Sequence, residues 1–253
     1  MRKVPRPIQW SRKLVKCSDC GLQKLCLPKN LKQPEIDKLE ALVTSNRSFQ
    51  KGDYLYHTAD KLPDLIVVKS GSAKTELISE TGAVQIVGFY FPGDLLGLDS
   101  IASHQAVSSV VFLEDSSICT IPYPTFTVLS QQMPELHDEL ITRLSLEIVS
   151  NHEAMLALNN HSAEQLFAAF LLEMGNRQHH RGLPQNHLHL RMSRGDIANY
   201  LGLAAATVSR IIGKFERDGL IQVENRYFQI TAYQALIYRL ALCACSDIAD
   251  IPA

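Results

Sequence analysis

Six cysteines occur, at positions 17, 20, 26, 119, 243 and 245, and three of them fall in one short run, Cys17-Ser18-Asp19-Cys20-Gly21-Leu22-Gln23-Lys24-Leu25-Cys26. The spacing is C-x2-C-x5-C, with Pro28 two positions beyond. Thiolates are soft ligands, so a group made of cysteines alone selects zinc or an iron-sulfur cluster over harder metals. Three on one loop cap one face of such a centre and leave a fourth ligand to come from elsewhere. Lys16, Lys24 and Lys29 partly offset the thiolate charge, which suits either metal. The spacing does not choose between the two, and a metal-free thiol group is the third alternative. Cys119 sits in the β-rich run Ser116 to Pro122, where by itself it reads as a small buried hydrophobe. Cys243 and Cys245 are two apart on an apolar segment; on a helix their side chains diverge, and they read as packing residues.

A second set of residues has the layout of a nucleic-acid reader. Ser193 is placed to cap a short helix whose buried face is Ile197, Tyr200 and Leu201, and Gly202 allows a tight turn into a second helix starting near Ala204. Val208, Ile211, Ile212 and Phe215 form the inward stripe of that helix, which leaves Thr207, Ser209, Arg210 and Lys214 for the outward face. Arg210 has the fork for the O6 and N7 of a guanine. Ser209 suits a base edge or a phosphate, and Lys214 with Arg217 suits backbone charge. The following run, GLIQVENRYFQIT, reads as a wing hairpin turning at Asn225-Arg226.

These residues need a folded frame, and the composition supplies one. The chain has 253 residues, 46% hydrophobic and 20% charged, enough to bury a core and outside the range of disordered chains. No run of about 18 apolar residues occurs, and the basic start has no apolar stretch behind it, so neither a membrane span nor a secretory signal is expected and a cytoplasmic chain is. The net charge of -1 is unevenly spread: residues 1–50 carry +7, residues 51–163 carry -9 and residues 164–253 carry +1. An acidic middle excludes a chain that coats nucleic acid along its length, so any DNA contact is local. From Lys51 to about Ile121, short β-branched and aromatic runs alternate with Gly, Pro and Asp signals, the pattern of an all-β sandwich or roll. After Pro134 the apolar spacing turns helical. Leu136, Leu140, Ile141, Leu144, Ile148, Met155 and Leu158 recur at intervals of three, four and seven with no Gly or Pro between them. That length favours a dimer seam, formed by Leu140, Leu144, Ile148, Asn151 and Met155, over packing on its own domain alone.

Taken together the residues resemble the FNR group of the CRP/FNR superfamily, oxygen-responsive regulators of anaerobic gene expression. The resemblance is collinear over nearly the whole chain. It rests on the C-x2-C-x5-C-x-P arm, PGDLLGLDSI at 92–101, the lone cysteine of S-x-C-x-I-P at 117–122, R-L-x-x-E-I at 143–148, A-E-x-x-x-A-A-F at 163–170 and R-G-D-I-x-N-Y-L-G-L-x-x-x-T-x-S-R at 194–210. It implies an α+β fold: an N-terminal β-roll (double-stranded jelly roll), a long dimerisation helix and a C-terminal winged helix-turn-helix. The expected divisions are a cluster-binding arm with a lead-in helix at 1–50, the roll at 51–133, the dimerisation helix at 134–161 and the DNA-binding domain at 162–253. It implies an oxygen-labile [4Fe-4S] cluster on Cys17, Cys20, Cys26 and Cys119, which turns Cys119 from filler into the fourth ligand. By the same resemblance the cluster-bearing chain is a homodimer on a palindromic duplex site, oxygen converts the cluster to a [2Fe-2S] form and the dimer is released. RNA polymerase is the implied further partner, with the exposed turn Ser79-Glu80-Thr81-Gly82 as candidate surface.

Three departures from the family pattern matter. Asn151 stands where members often carry an acid whose repulsion across the dimer axis disfavours the apo dimer, so the apo form here is expected to dimerise more readily. Ala206 replaces the glutamate of the family's E-x-x-S-R reading head, which removes the acceptor for a cytosine amino group and relaxes readout of the half-site TTGAT at that base pair. Gly21 has no side chain to help cover the cluster, so faster loss in air is expected than in Gly21→Ser, with Leu25 as remaining apolar cover. Other classes fit less well. A cyclic-nucleotide sensor on this scaffold needs an Arg soon after Gly93-Asp94, and none occurs before Arg143, so no cyclic nucleotide is expected. A zinc or thiol redox regulator would use the same four cysteines. An enzyme is not expected: His179, His180, His187 and His189 lie before the helix-turn-helix with no carboxylate at ligand-like spacing.

Overall fold

The computed structural model describes residues 20, 22, 26, 32–43 and 45–241. Cys17, Gly21, Leu25, the three arm lysines, Cys243 and Cys245 lie outside the described residues. The chain divides at residues 144/145 into two compact units.

The first unit opens with helix α1 (Gln33–Leu42), which starts on a proline and buries Ile36 and Leu39. Eight strands follow: β1 (Ser45–Phe49), β2 (Tyr54–Tyr56), β3 (Asp64–Ser70), β4 (Ala73–Ile78), β5 (Val84–Tyr90), β6 (Leu95–Leu96), β7 (Ser109–Phe112) and β8 (Ser116–Pro122). They form two four-stranded antiparallel sheets, ordered β1-β8-β3-β6 and β2-β7-β4-β5, which is the double sheet of a jelly roll. The first strand lies ahead of the Lys51 start expected from the pattern, because Ser45–Phe49 has no apolar alternation to announce it. Pairing with β8 makes it a strand, in register from Ser45 with Thr120 to Phe49 with Ser116.

Strand alternation decides what each face of β8 does. Ile118 and Thr120 point between the sheets, where Phe49, Ile66, Val68, Leu96, Val110 and Phe112 close the core and the Phe49 and Phe112 rings stack 4.5 Å apart. Cys119 and Ile121 therefore point the other way. On that outer face Leu65 and Ile121 pack under Ile36 and Leu39 and under residues of two further helices, α2 (Tyr123–Gln132) and α3 (Pro134–Asn160). Phe126, Leu129, Leu136 and Leu140 are their contribution to this second core.

The second unit holds the later turns of α3, then α4 (Ala163–His180), β9 (His187–His189), α5 (Arg194–Tyr200), α6 (Ala205–Arg217), β10 (Ile221–Glu224), β11 (Tyr227–Ile230) and α7 (Tyr233–Ala241). Ser162 starts α4 with a reciprocal cap to Gln165. Phe167 and Phe170 of α4 meet Phe215 and Tyr200 at ring distances of 5.8 and 6.1 Å, which seats the helix pair α5–α6 on α4. The strands form a three-stranded sheet in the order β10-β11-β9, a hairpin with one added strand.

Candidate functional site

Within the first unit, Cys20, Cys26 and Cys119 line one cavity of about 80 Å³. Its other walls are largely apolar, from Leu39 of α1 and Val43 just after it, Leu65 and Val67 of β3, Phe126 of α2 and Leu136 and Leu140 of α3, and three charged side chains, Lys69, Glu139 and Arg143, border it. Cys119 reaches the cavity because it is an outward residue of β8, opposite Val67 of β3. Cys26 sits on a helical turn, with its amide and its thiol both directed at the carbonyl of Leu22, at 3.0 and 3.2 Å. Burial raises the Cys119 thiol above the ordinary range; the charge of Lys69 acts against this and that of Cys20 adds to it. Among the described residues, no group of three or more His, Cys, Asp or Glu is drawn together closely enough to hold a metal ion. The thiols share a wall without converging on one point.

Sequence reasoning missed Lys69, Glu139 and Arg143 as parts of this wall. The signal for Lys69 was its place in an alternation, since Leu65, Val67 and Lys69 occupy the same face of β3. For Arg143 it was helical spacing from Leu136, Glu139 and Leu140. Arg143 is fixed there by Glu139, whose Oε1 accepts from Nε at 2.7 Å, and by the carbonyl of Gly93, 3.4 Å from Nη1.

Along α3 the expected seam residues divide. Leu140 is buried in its own unit, and Leu144 is partly buried against the same cluster. Ile148, Asn151 and Met155 are exposed. Ile141 and Leu158, exposed as well, continue the stripe at seven-residue spacing, so the open face starts one residue later than Leu140. Ser79 to Gly82 close the exposed hairpin between β4 and β5, where Ser79 exchanges backbone hydrogen bonds with Gly82 and Ala83.

In the second unit the reader takes the expected shape. Ser193 caps α5, accepting from the Asp196 amide at 3.0 Å while the Asp196 carboxylate accepts from the Ser193 amide at 2.8 Å. Gly202 takes φ +65°, a left-handed turn that strains other residues, and so lets α6 follow after two more residues. Val208, Ile211, Ile212 and Phe215 are all buried, as the stripe requires. Asn225 takes φ 56° at the tip of the wing, and Tyr227 stacks on His189 of β9 with ring centroids 4.0 Å apart. His187 and His189 thus belong to the wing sheet.

On α6, Arg210 is exposed and Thr207 and Ser209 are half-buried. The Arg210 guanidinium lies back along the helix, donating from Nη2 to the Thr207 hydroxyl at 3.1 Å and from Nε to the Ala206 carbonyl at 3.4 Å. Lys214 is half-exposed and has a partner that the sequence did not announce. Its ammonium meets Glu164 of α4 at 2.5 Å, and the same carboxylate takes Arg239 at 3.3 Å, so this lysine ties α6 to its own unit.

Two families match parts of the chain. One is described as the cyclic nucleotide-binding domain and covers residues 46–133; the other is the Crp-like helix-turn-helix domain and covers residues 167–238. The chain is 37% identical to the "Anaerobic regulatory protein" of Pasteurella multocida over 93% of its own length and 86% of that protein. It is 36% identical to the "Fumarate and nitrate reduction regulatory protein" of Escherichia coli K12, over 93% of its length and 94% of the relative. Among solved structures it is similar to FixK2 from Bradyrhizobium japonicum, with a TM-score of 0.71, 25% identity and coverage of 78% of this chain and 97% of that one. No helix among the described residues is long and apolar enough to cross a membrane.

Proposed function

The chain belongs to the CRP/FNR family of transcription regulators, which are not enzymes, and from that premise we propose that it is an oxygen-responsive regulator of anaerobic metabolism that carries a [4Fe-4S] cluster. The ligands are Cys17, Cys20, Cys26 and Cys119. The observation that carries this reading is the cavity shared by Cys20, Cys26 and Cys119, where a thiol of β8 far along the chain borders the same apolar space as two of the arm. When bound, the cluster supplies the group that reacts with oxygen. The donor set fits it: soft thiols, apolar cover, and Lys69 to offset thiolate charge, the charge of Arg143 being met by Glu139. Arg143 also ties this wall to the early turns of α3, the helix whose exposed stripe of Ile141, Ile148, Met155 and Leu158 suits a second copy of the chain.

The homodimer then presents two copies of α6 to a palindromic duplex, with Arg210 reading a guanine and Ser209 and Thr207 at base or phosphate edges. The hairpin turn Ser79 to Gly82 is the surface offered to RNA polymerase. The roll belongs to a family named for cyclic nucleotides. That match runs against the expectation of no cyclic nucleotide; what supports a scaffold role is that neither Arg nor Lys occurs between Asp94 and Arg143, and that Phe49, Tyr56 and Phe112 fill the space between the sheets.

The test is an absorbance spectrum of anaerobically purified chain with iron and sulfide assays, repeated after oxygen is admitted. A broad visible band with about four irons and four sulfides per chain, bleached by air and absent from Cys119→Ser, is the expected result. A colourless chain with stoichiometric zinc, unchanged in air, would replace the oxygen signal with a structural metal and leave the DNA-binding role standing.

A further inference from the structure

The reading head of α6 has lost a carboxylate and kept an arginine, and the structure gives that arginine another partner. Ala206 is exposed at the position one turn before Arg210, and no acidic residue occurs in the first turn of the helix. Arg210 instead donates to the neutral hydroxyl of Thr207, three residues back, at 3.1 Å. The two donors used, Nε and Nη2, lie on the side edge of the guanidinium. The end-on pair of N–H groups stays free, and that pair matches the O6 and N7 of guanine.

We propose that Thr207 is a positioning residue for base recognition, holding Arg210 side-on against the helix so that its end-on fork is presented to a guanine. A carboxylate in this place would neutralise the guanidinium as well as hold it. A hydroxyl holds it and leaves the full charge for the duplex. A long exposed arginine otherwise loses rotamer freedom when it meets a base, and a side chain already restrained loses less. The consequence is base-specific: without the hydroxyl, the arginine still attracts phosphate but selects guanine poorly.

The proposal rests on the DNA-binding reading, so the experiment separates the two. Full-length, anaerobically purified wild type, Thr207→Val, Thr207→Ser and Arg210→Ala each select from a randomised duplex library. Affinity is then measured for the wild-type site and for the same site with 7-deazaguanine in place of guanine. Thr207→Val keeps the shape of threonine and should lower the guanine preference about threefold to tenfold, the net size of one solvent-exposed hydrogen bond. Affinity for unrelated duplex should stay as in wild type, and Thr207→Ser should restore the preference. An undiminished preference in Thr207→Val overturns the proposal and leaves the reading head intact. So does an equal loss on every duplex, which would make Thr207 a phosphate contact, or a Thr207→Ser as impaired as the valine variant. If Arg210→Ala also keeps the guanine preference, the assignment of Arg210 falls together with the proposal.

Discussion

The thiol-lined cavity and the recognition helix meet opposite demands. The cavity is a partly open, largely apolar space, with thiols and cations brought to it from the arm, β3, β8 and α3, at positions from 20 to 143. The recognition helix is an exposed surface, and most of what shapes it, from the Ser193 cap to the wing tip at Asn225, lies within one local stretch seated on Phe167 and Phe170 of α4. In the cavity, position depends on one sheet and three helices holding register. On α6, position depends on one helix turning correctly about its own buried stripe and on the α4 rings beneath it. An apolar lining suits a centre that must be kept from bulk water, and exposure suits a surface that must meet a duplex. Each is supported by a core of its own, which makes the two separable by mutation.

The largest effects should come from those cores. Phe112 and Phe215 are both fully buried, one in the roll and one under α6. Truncating either to Ala should cost about 3 to 5 kcal/mol in its own unit. Calorimetry should show Phe112→Ala lowering the transition of the roll, with loss of iron, while isolated winged-helix signals in the circular dichroism melt stay put. Phe215→Ala should do the converse, abolishing duplex binding while iron is retained. Matching losses of iron and duplex binding in both variants would show that the units fold as one, and would break the comparison.

The same contrast explains what could be read in advance. The helix-turn-helix was legible down to its cap and stripe because Ser193, Gly202, Val208, Ile211, Ile212 and Phe215 act on neighbours a few residues away. The cluster arm and Cys119 were named, the latter only through resemblance. The wall joining them was not legible, since Lys69, Glu139 and Arg143 gain their meaning from which strand lies beside which helix. Strand β1 was missed for the same reason: Asn46 and Arg47 form a strand because β8 runs alongside. Lys214 shows the converse. Its helical phase favoured the outward face, and a carboxylate fifty residues earlier, Glu164, captured it.

A smaller effect sharpens the comparison by pH. Each unit holds one tyrosine pushed up by burial: Tyr56, where the nearby Asp99 and Tyr90 add to the shift, and Tyr200, where Glu173 adds and Arg177 opposes. A phenol whose folded value lies above its unfolded value of about 10 contributes stability that is complete below that pH. The contribution is lost as pH rises towards the folded value. An alkaline absorbance titration should therefore show two phenols ionising late, with Tyr56→Phe and Tyr200→Phe each removing one of them. Because the two sit in separate cores, each should go with the unfolding of its own unit. Ionisation of either phenol in the ordinary tyrosine range would show that its core admits water.

The smallest effect concerns the helix that begins in one unit and ends in the other. Asn151 is exposed on α3, on the same seven-residue stripe as Leu144 and Leu158. In a dimer along that stripe the two copies of residue 151 face each other near the axis, so Asn151→Asp would place two like charges together in solvent. Repulsion between exposed charges is weak, and self-association of the apo chain should fall about twofold to fivefold by sedimentation at low salt. The difference should fade at about 1 M salt, where screening acts within about 3 Å. A change in packing would not fade in this way, so the salt series identifies the cause. An apo wild type that is strictly monomeric, or an Asn151→Asp variant that associates as well as wild type at low salt, would remove residue 151 from the axis and leave the stripe to be explained by contacts within the chain.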